Sequence, residues 1–529
     1  MKKVWVLFST EMWEKFNFYG MRAIFALFLV HFLGFSESDA ALYYGGFLAF
    51  SYLCPIVGGF LADRFLGYHK SVLLGCAFLA VAQLLFFVSA SGFSSVGFAL
   101  CGAILVMFGN GFFKPSITAL LSIKAPKDIS MDAVFSSYYF FLNLGVLIGS
   151  FVVPYFGDVV AGGVRDISAF KWGFLSAFIA MIVGIVIFAL FSKNDENFTP
   201  KHAQGMKYNK RNLLISSVVF IAIFLLICYV SSTQNVVKMY LYPAIYAFGV
   251  SMICYVLLDK SLDKIERENI ITIFISAIFI VFFWASFEQI GSSLTFIANN
   301  QMDRSLFGFD VPPSMISMFN PLFVLILSFL FSAFYIKLGR KNIEPNSLNK
   351  QAFGLCLLGV SYLIIAFKVH DLGENLLHIK WFLLLYFLHT CAELLVSPIG
   401  FALVAKLSPK RLLGLIFGIF YLANAAGYAL SGTLASLLPP TSDKFILANQ
   451  LGIDLKEILN SKGEISDDTL EILKQNGLPS EYPNIFGYEI CSLFEFFMLF
   501  FVLCFGAGVL LFIVAKFHKM YNLKKDKNV

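Results

Sequence analysis

Fourteen long apolar runs dominate this chain, at about 4–33, 42–63, 71–92, 95–123, 134–157, 170–192, 213–233, 238–258, 270–298, 313–337, 351–370, 381–407, 412–438 and 487–516. Each approaches or exceeds the roughly 20 residues that a helix needs to cross a bilayer. Water does not reach the backbone there, so a continuous apolar run must satisfy its own hydrogen bonds as a helix. A β-barrel would show alternating strands of about ten residues instead. Composition agrees: 59% of residues are hydrophobic and 14% are charged, against about 25% charged in a soluble domain. The balance excludes a soluble enzyme, a disordered chain and a nucleic-acid module. The first run is too long for the apolar core of a signal peptide. All nine cysteines lie within apolar segments, without metal-ligand spacing, and read as small core residues.

Lys and Arg in the connections set an expected orientation. With the N-terminus in the cytoplasm, cytoplasmic segments carry 26 of them and opposite-side loops carry 10. Lys15, Arg22 and Lys114 lie inside spans. Both termini are expected inside, with a cytoplasmic tail at 517–529. Two segments break the regularity. A polar link from Lys193 leads into an extra helical pair, read as a scaffold hairpin. An external insert, 439–486, contains DLKEILNSKGEISDDTLEILKQNG, whose apolar spacing at Leu455, Ile458 and Leu459 predicts short amphipathic helices.

A charge at the centre of a span costs ~2.5–3.5 kcal/mol on insertion scales. The first span carries Glu11, Glu14, Lys15 and Arg22, a penalty on the order of 10 kcal/mol if all faced lipid. At about 100° per residue these four share one face with Tyr19. That face must line a wet cavity or pair with other spans. Lys114, Glu288 and Glu393 add charges elsewhere, with Ser397 one turn beyond Glu393 and Pro398 as an expected kink. Four carboxylates thus face three cations within the membrane. An acid left without a fixed partner in a low-dielectric setting can hold a proton. Cations from the first half facing carboxylates from the second suit a ligand with a carboxylate at one end and an ammonium at the other. Tyr52, Tyr139, Asn143 and Asn320 offer neutral hydrogen bonds inside spans, a use that competes with interhelical contact.

Several ordered motifs carry a resemblance. GGFLADRFLGYHK resembles the loop signature of the major facilitator superfamily, with Asp63, Arg64 and Gly67 at its usual positions, and YIKLGRKN its weaker second copy. EMWEKFNFYGMR is similar to the first-helix motif of the proton-dependent oligopeptide transporter (PTR2, peptide transporter) family, with Lys15 where Arg is usual. GNGFFKPSI, SSYYFFLNLGVLIGS, FWASFEQIGSSL, MFNPLF and AELLVSPIGFALVAKLSPKR continue the likeness along nearly the whole chain. It implies an all-α major facilitator fold with fourteen transmembrane helices. The expected units are 1–192, a six-helix bundle; 193–269, the linker with the extra pair; and 270–529, a second bundle that includes the insert and tail.

The implied activity is proton-coupled import of di- and tripeptides across the cytoplasmic membrane by alternating access, with no enzymatic step and no cofactor beyond the coupling proton. By the same resemblance Arg22 and Lys114 would hold the peptide carboxylate. Glu393, Asn320 and Ser397 would receive the ammonium, and Tyr19, Tyr52, Tyr139 and Asn143 the backbone. Glu11, Glu14, Lys15 and Glu288 would couple the proton, and an empty transporter would pair Lys114 with Glu393. Phe420 stands where the family has Trp, which bears on a side-chain pocket. The implied partners are the peptide and membrane lipid, with a monomer able to work. Rival readings are a same-fold carrier of nitrate, a modified amino acid or a peptide-like drug, and a fourteen-helix drug exporter.

Overall fold

The computed structural model describes residues 4–92, 96–124, 131–161, 164–192, 210–230, 235–340, 346–370, 372, 375–409, 412–460, 466–485 and 487–526. The apolar runs become helices. The first six are α1 (Trp5–His31), α2 (Glu37–Leu61), α3 (Tyr68–Ser89), α4 (Val96–Lys124), α5 (Met131–Gly157) and α6 (Phe170–Phe191). The extra pair is α7 (Lys210–Val230) and α8 (Tyr242–Leu257). Next comes α9 (Lys264–Phe287), whose apolar run is interrupted by a 3-10 turn, Glu288–Gly291, and resumes as α10 (Ser293–Asn300). Then follow α11 (Phe319–Arg340), α12 (Ser347–His370), α13 (Lys380–Leu407) and α14 (Leu413–Ala435). The insert folds as α15 (Ser442–Gln450), α16 (Leu455–Asn460) and α17 (Asp467–Gln475), before the long α18 (Leu493–Asp526).

Thirteen helical segments among the described residues are long and apolar enough to cross a membrane. The fourteenth, α1, is 27 residues long and falls short only through its internal charges. Local rules fix several starts. The Ser36 hydroxyl caps α2 by accepting from Asp39 N at 3.1 Å, and Asp263 with Glu266 forms a capping box on α9.

Two apolar cores form, one centred on α1–α6 and one on α9–α14 and α18; α8, α10 and α14 contribute to both. Glycine permits backbone contact where the site is built. A Cβ added at Gly145 or Gly149 of α5 would lie 2.1 Å from Met12 O or 2.4 Å from Phe16 O of α1. This small-xxx-small face seats α1 directly on α5. Gly67 has φ +73°, outside the reach of other residues. The side chains of Asp63 and Arg64 and the link 193–209 lie outside the described residues. The insert has its own small core of Ala448, Leu455, Leu459, Leu473 and Leu478.

Candidate functional site

α1 sends its buried charges to two different places. Near its start, the Lys15 ammonium bonds Glu11 Oε1 at 2.8 Å and also pairs with Glu14, all three nearly inaccessible. One ammonium with three donors serves two separate carboxylates, a task that does not need the flat fork of an arginine. Two turns on, Arg22 points elsewhere. Its Nη2 pairs with Glu288 Oε2, and its Nε donates to the Tyr44 hydroxyl at 2.6 Å. The guanidinium carbon lies 5.2 Å from the Tyr19 ring centre and 5.9 Å from that of Tyr44.

Glu288 begins the 3-10 turn that interrupts α9. The break in the helix therefore presents this carboxylate to α1, in the manner of discontinuous helices that carry binding groups at the membrane midplane. Across from it, Asn320 at the start of α11 donates through Nδ2 to Glu393 Oε2 at 3.0 Å and to Thr390 Oγ1 at 3.1 Å. Glu393 keeps no cation partner among the described residues.

These groups line one cavity. It brings together Tyr19, Arg22, Tyr52, Glu288, Asn320 and Glu393, with Tyr44, Ser150, Trp284, Phe287, Gly291 and Tyr428 also on its wall. The wall has a cationic end on α1 and two acids, one from the turn after α9 and one from α13. The Tyr52 and Tyr428 rings meet at 4.7 Å, and Trp284 lies 5.6 Å from Tyr428. Free space amounts to about 80 Å³, less than the roughly 150 Å³ of a cavity that admits benzene. A ligand of dipeptide size requires the wall to part.

Other expected residues fall beside the cavity rather than on it. Lys114 does not pair with Glu393: its ammonium lies 4.6 Å from the Phe18 ring centre and 4.4 Å from that of Tyr52. Tyr139 and Asn143 share α5 with the lining Ser150, and Asn143 Nδ2 donates to Tyr139 O at 2.9 Å. Ser397 is half-buried one turn beyond Glu393. Phe420 is 1% exposed, packed 5.3 Å from Phe401 and hard against Gly400, away from the cavity. The Glu11–Glu14–Lys15 group likewise stays within the first bundle. Tyr44, Trp284 and Tyr428 were not singled out by the sequence. The available hints were spacings: Tyr44 precedes Tyr52 by eight residues, and Trp284 precedes Glu288 by one turn.

Comparison with known proteins follows the same line. The model of the PTR2, or POT, family matches residues 69–449. Dipeptide and tripeptide permease A of Yersinia pestis is 29% identical over 447 residues, 84% of this chain and 85% of the relative. The protein of the same name from Escherichia coli K12 is 28% identical over 445 residues, 83% and 84% of the two chains. Among solved structures, a peptide transporter POT in complex with sulfate superimposes with a TM-score of 0.74 at 22% identity, covering 98% of this chain and 95% of that one. A POT family transporter in complex with a thioalcohol-conjugated peptide gives 0.73 at 23%, covering 97% and 96%.

Proposed function

Because the chain belongs to the POT family, we propose that it is a proton-coupled symporter that imports di- and tripeptides by alternating access. It is a multi-pass membrane protein; the cytoplasmic membrane with both termini inside is the setting that the basic loops favour. The observation that carries the reading is the Arg22–Glu288 pair, which joins α1 to the break after α9 across a cavity that also holds Glu393.

Protonation of Glu288 removes the counter-charge of Arg22 and frees the guanidinium for an incoming peptide carboxylate. Lys114 attracts the same carboxylate. Glu393, oriented by Asn320, receives the peptide ammonium, while Ser397, Tyr19, Tyr52, Tyr139 and Asn143 flank the path of the backbone. Glu11, Glu14 and Lys15 tie the proton to movement of α1. The units 1–192 and 270–529 rock about the cavity, and 193–269 follows as a scaffold. Each charge that moves down 100 mV releases ~2.3 kcal/mol, enough for a concentration ratio on the order of 50. The cycle uses no cofactor and makes or breaks no covalent bond in the peptide, and a monomer suffices for it.

Glu288→Gln tests the coupling. In proteoliposomes the variant is expected to exchange dialanine by counterflow but to lose accumulation driven by a pH gradient. Retained accumulation would overturn the role of Glu288. Affinity that falls when either peptide terminus is blocked supports peptide cargo, and indifference to blocking favours the rival cargoes.

A further inference from the structure

The two cations of the site are held differently. Arg22 has a carboxylate partner in Glu288. Lys114 makes no ion pair among the described residues, and Glu11 and Glu14 are already engaged by Lys15. Two rings lie against the Lys114 ammonium: Phe18 at 4.6 Å and Tyr52 at 4.4 Å from the ring centres. Both distances lie inside the range of about 6 Å in which a ring face attracts a cation. Phe18 is fully buried and is itself fixed by Tyr19, edge-on at 5.4 Å, and by Phe47 at 6.2 Å. Tyr52 belongs at once to this pair and to the cavity wall.

We propose that Phe18 is a positioning residue for peptide capture: with Tyr52 it forms an aromatic clasp that holds the Lys114 ammonium beside the cavity without a counter-ion. A carboxylate partner would stabilise the ammonium but cancel the charge that a substrate needs. A ring face stabilises it through its quadrupole and leaves the net charge in place. A peptide carboxylate then meets a fixed positive group without first displacing an acid. Phe18 has no hydroxyl, so its contribution rests on the ring alone. Without it the flexible lysine stem is free to turn its head toward other acids of the bundle.

This inference rests on Lys114 as a receptor of the peptide carboxylate, and the test separates the two. The full chain is reconstituted, and dialanine competes for labelled dipeptide uptake beside a dialanine whose C-terminus is amidated. Phe18→Leu is expected to weaken dialanine about tenfold while leaving the amidated peptide nearly unchanged. Phenylalanine bearing one, two or three fluorines at position 18 keeps its shape and progressively loses its quadrupole, so dialanine affinity is expected to fall stepwise. Flat affinity across the fluorinated series, with Lys114→Met still impaired for dialanine, overturns the clasp. Equal use of both peptides by Lys114→Met and the parent overturns instead the carboxylate role of Lys114 and the clasp with it. A fall for both peptides in every Phe18 variant indicates a packing role only and also overturns the proposal.

Discussion

Arg22 meets Glu288 on one side and the Tyr44 hydroxyl on the other, the latter at 2.6 Å from Nε. Removing that hydroxyl leaves a charged donor unsatisfied in a buried place, at a cost of about 1.5–3 kcal/mol. Tyr44→Phe is therefore expected to slow dialanine counterflow by about tenfold or more. Tyr44 is in turn held by Gly291 in the turn after Glu288. A Cβ at that glycine would fall 1.7 Å from the Tyr44 hydroxyl, so Gly291→Ala must push the phenol off the guanidinium. The two changes act on one contact and are expected not to add: the double variant should be no slower than the worse single one. Counterflow rates of the three proteins decide it, and additive losses would show that Gly291 and Tyr44 act separately.

Among elements, the extra helical pair is tied in through α8: Asn235, just before it, donates through Nδ2 to Asp39 Oδ1 of α2 at 2.8 Å, and α8 packs into both apolar cores. Tyr242, at the start of α8, donates to Leu42 O of α2 at 2.7 Å. The same hydroxyl lies against Gly45 and Gly432, where α2 and α14 touch backbone to backbone. Tyr242→Phe is expected to cost about 1 kcal/mol, read as a lower thermal midpoint, with the KM for dipeptide unchanged as a scaffold role requires. Spans of this kind are legible in a sequence because a long apolar run has one stable form in lipid. Glu288, Glu393 and Arg22 are legible because a charge inside such a run is costly. Two things were hidden. The run 270–298 gives no sign by hydropathy that its helix breaks at Glu288, since Gln289 and Ser292 turn inward and are satisfied or enclosed by protein rather than lipid. The aromatic wall was hidden by abundance: with 63 phenylalanines and 22 tyrosines in the chain, a ring facing the cavity and a ring facing lipid look alike.

For the whole molecule, the question is which end of the cavity is shut. At the Asp158 end polar contacts join the first six helices to the later ones. Asp158, fully buried, accepts from Ser314 Oγ at 2.6 Å and Ser314 N at 3.1 Å. Arg165 bonds Asp158 at 2.8 Å and reaches Asn299 Oδ1 at 2.9 Å, while Asn300 Nδ2 donates to Glu37 at 2.9 Å. The ion pair Asp158–Arg165 lies wholly within the first bundle, and each of these crossing bonds has a neutral partner. Breaking these bonds therefore leaves neither ion of the Asp158–Arg165 pair alone in an apolar place, which would cost several kcal/mol. Such a latch is easy to shift. Ser314→Ala removes a hydroxyl donor to a charged acceptor, worth about 1.5–3 kcal/mol, and so should raise the open-to-closed ratio at this end by about tenfold or more. Spin labels at Val164→Cys and Phe307→Cys, both exposed at hairpins on the two sides of the latch, report the separation once Cys54, Cys101, Cys228, Cys254, Cys356, Cys391 and Cys491, none of them fully buried, are replaced by serine. The expected result is a longer-distance population that grows in Ser314→Ala and shrinks again when a substrate peptide is added. An unchanged distance distribution would mean that the packing of α2 on α14, rather than Asp158, keeps this end closed.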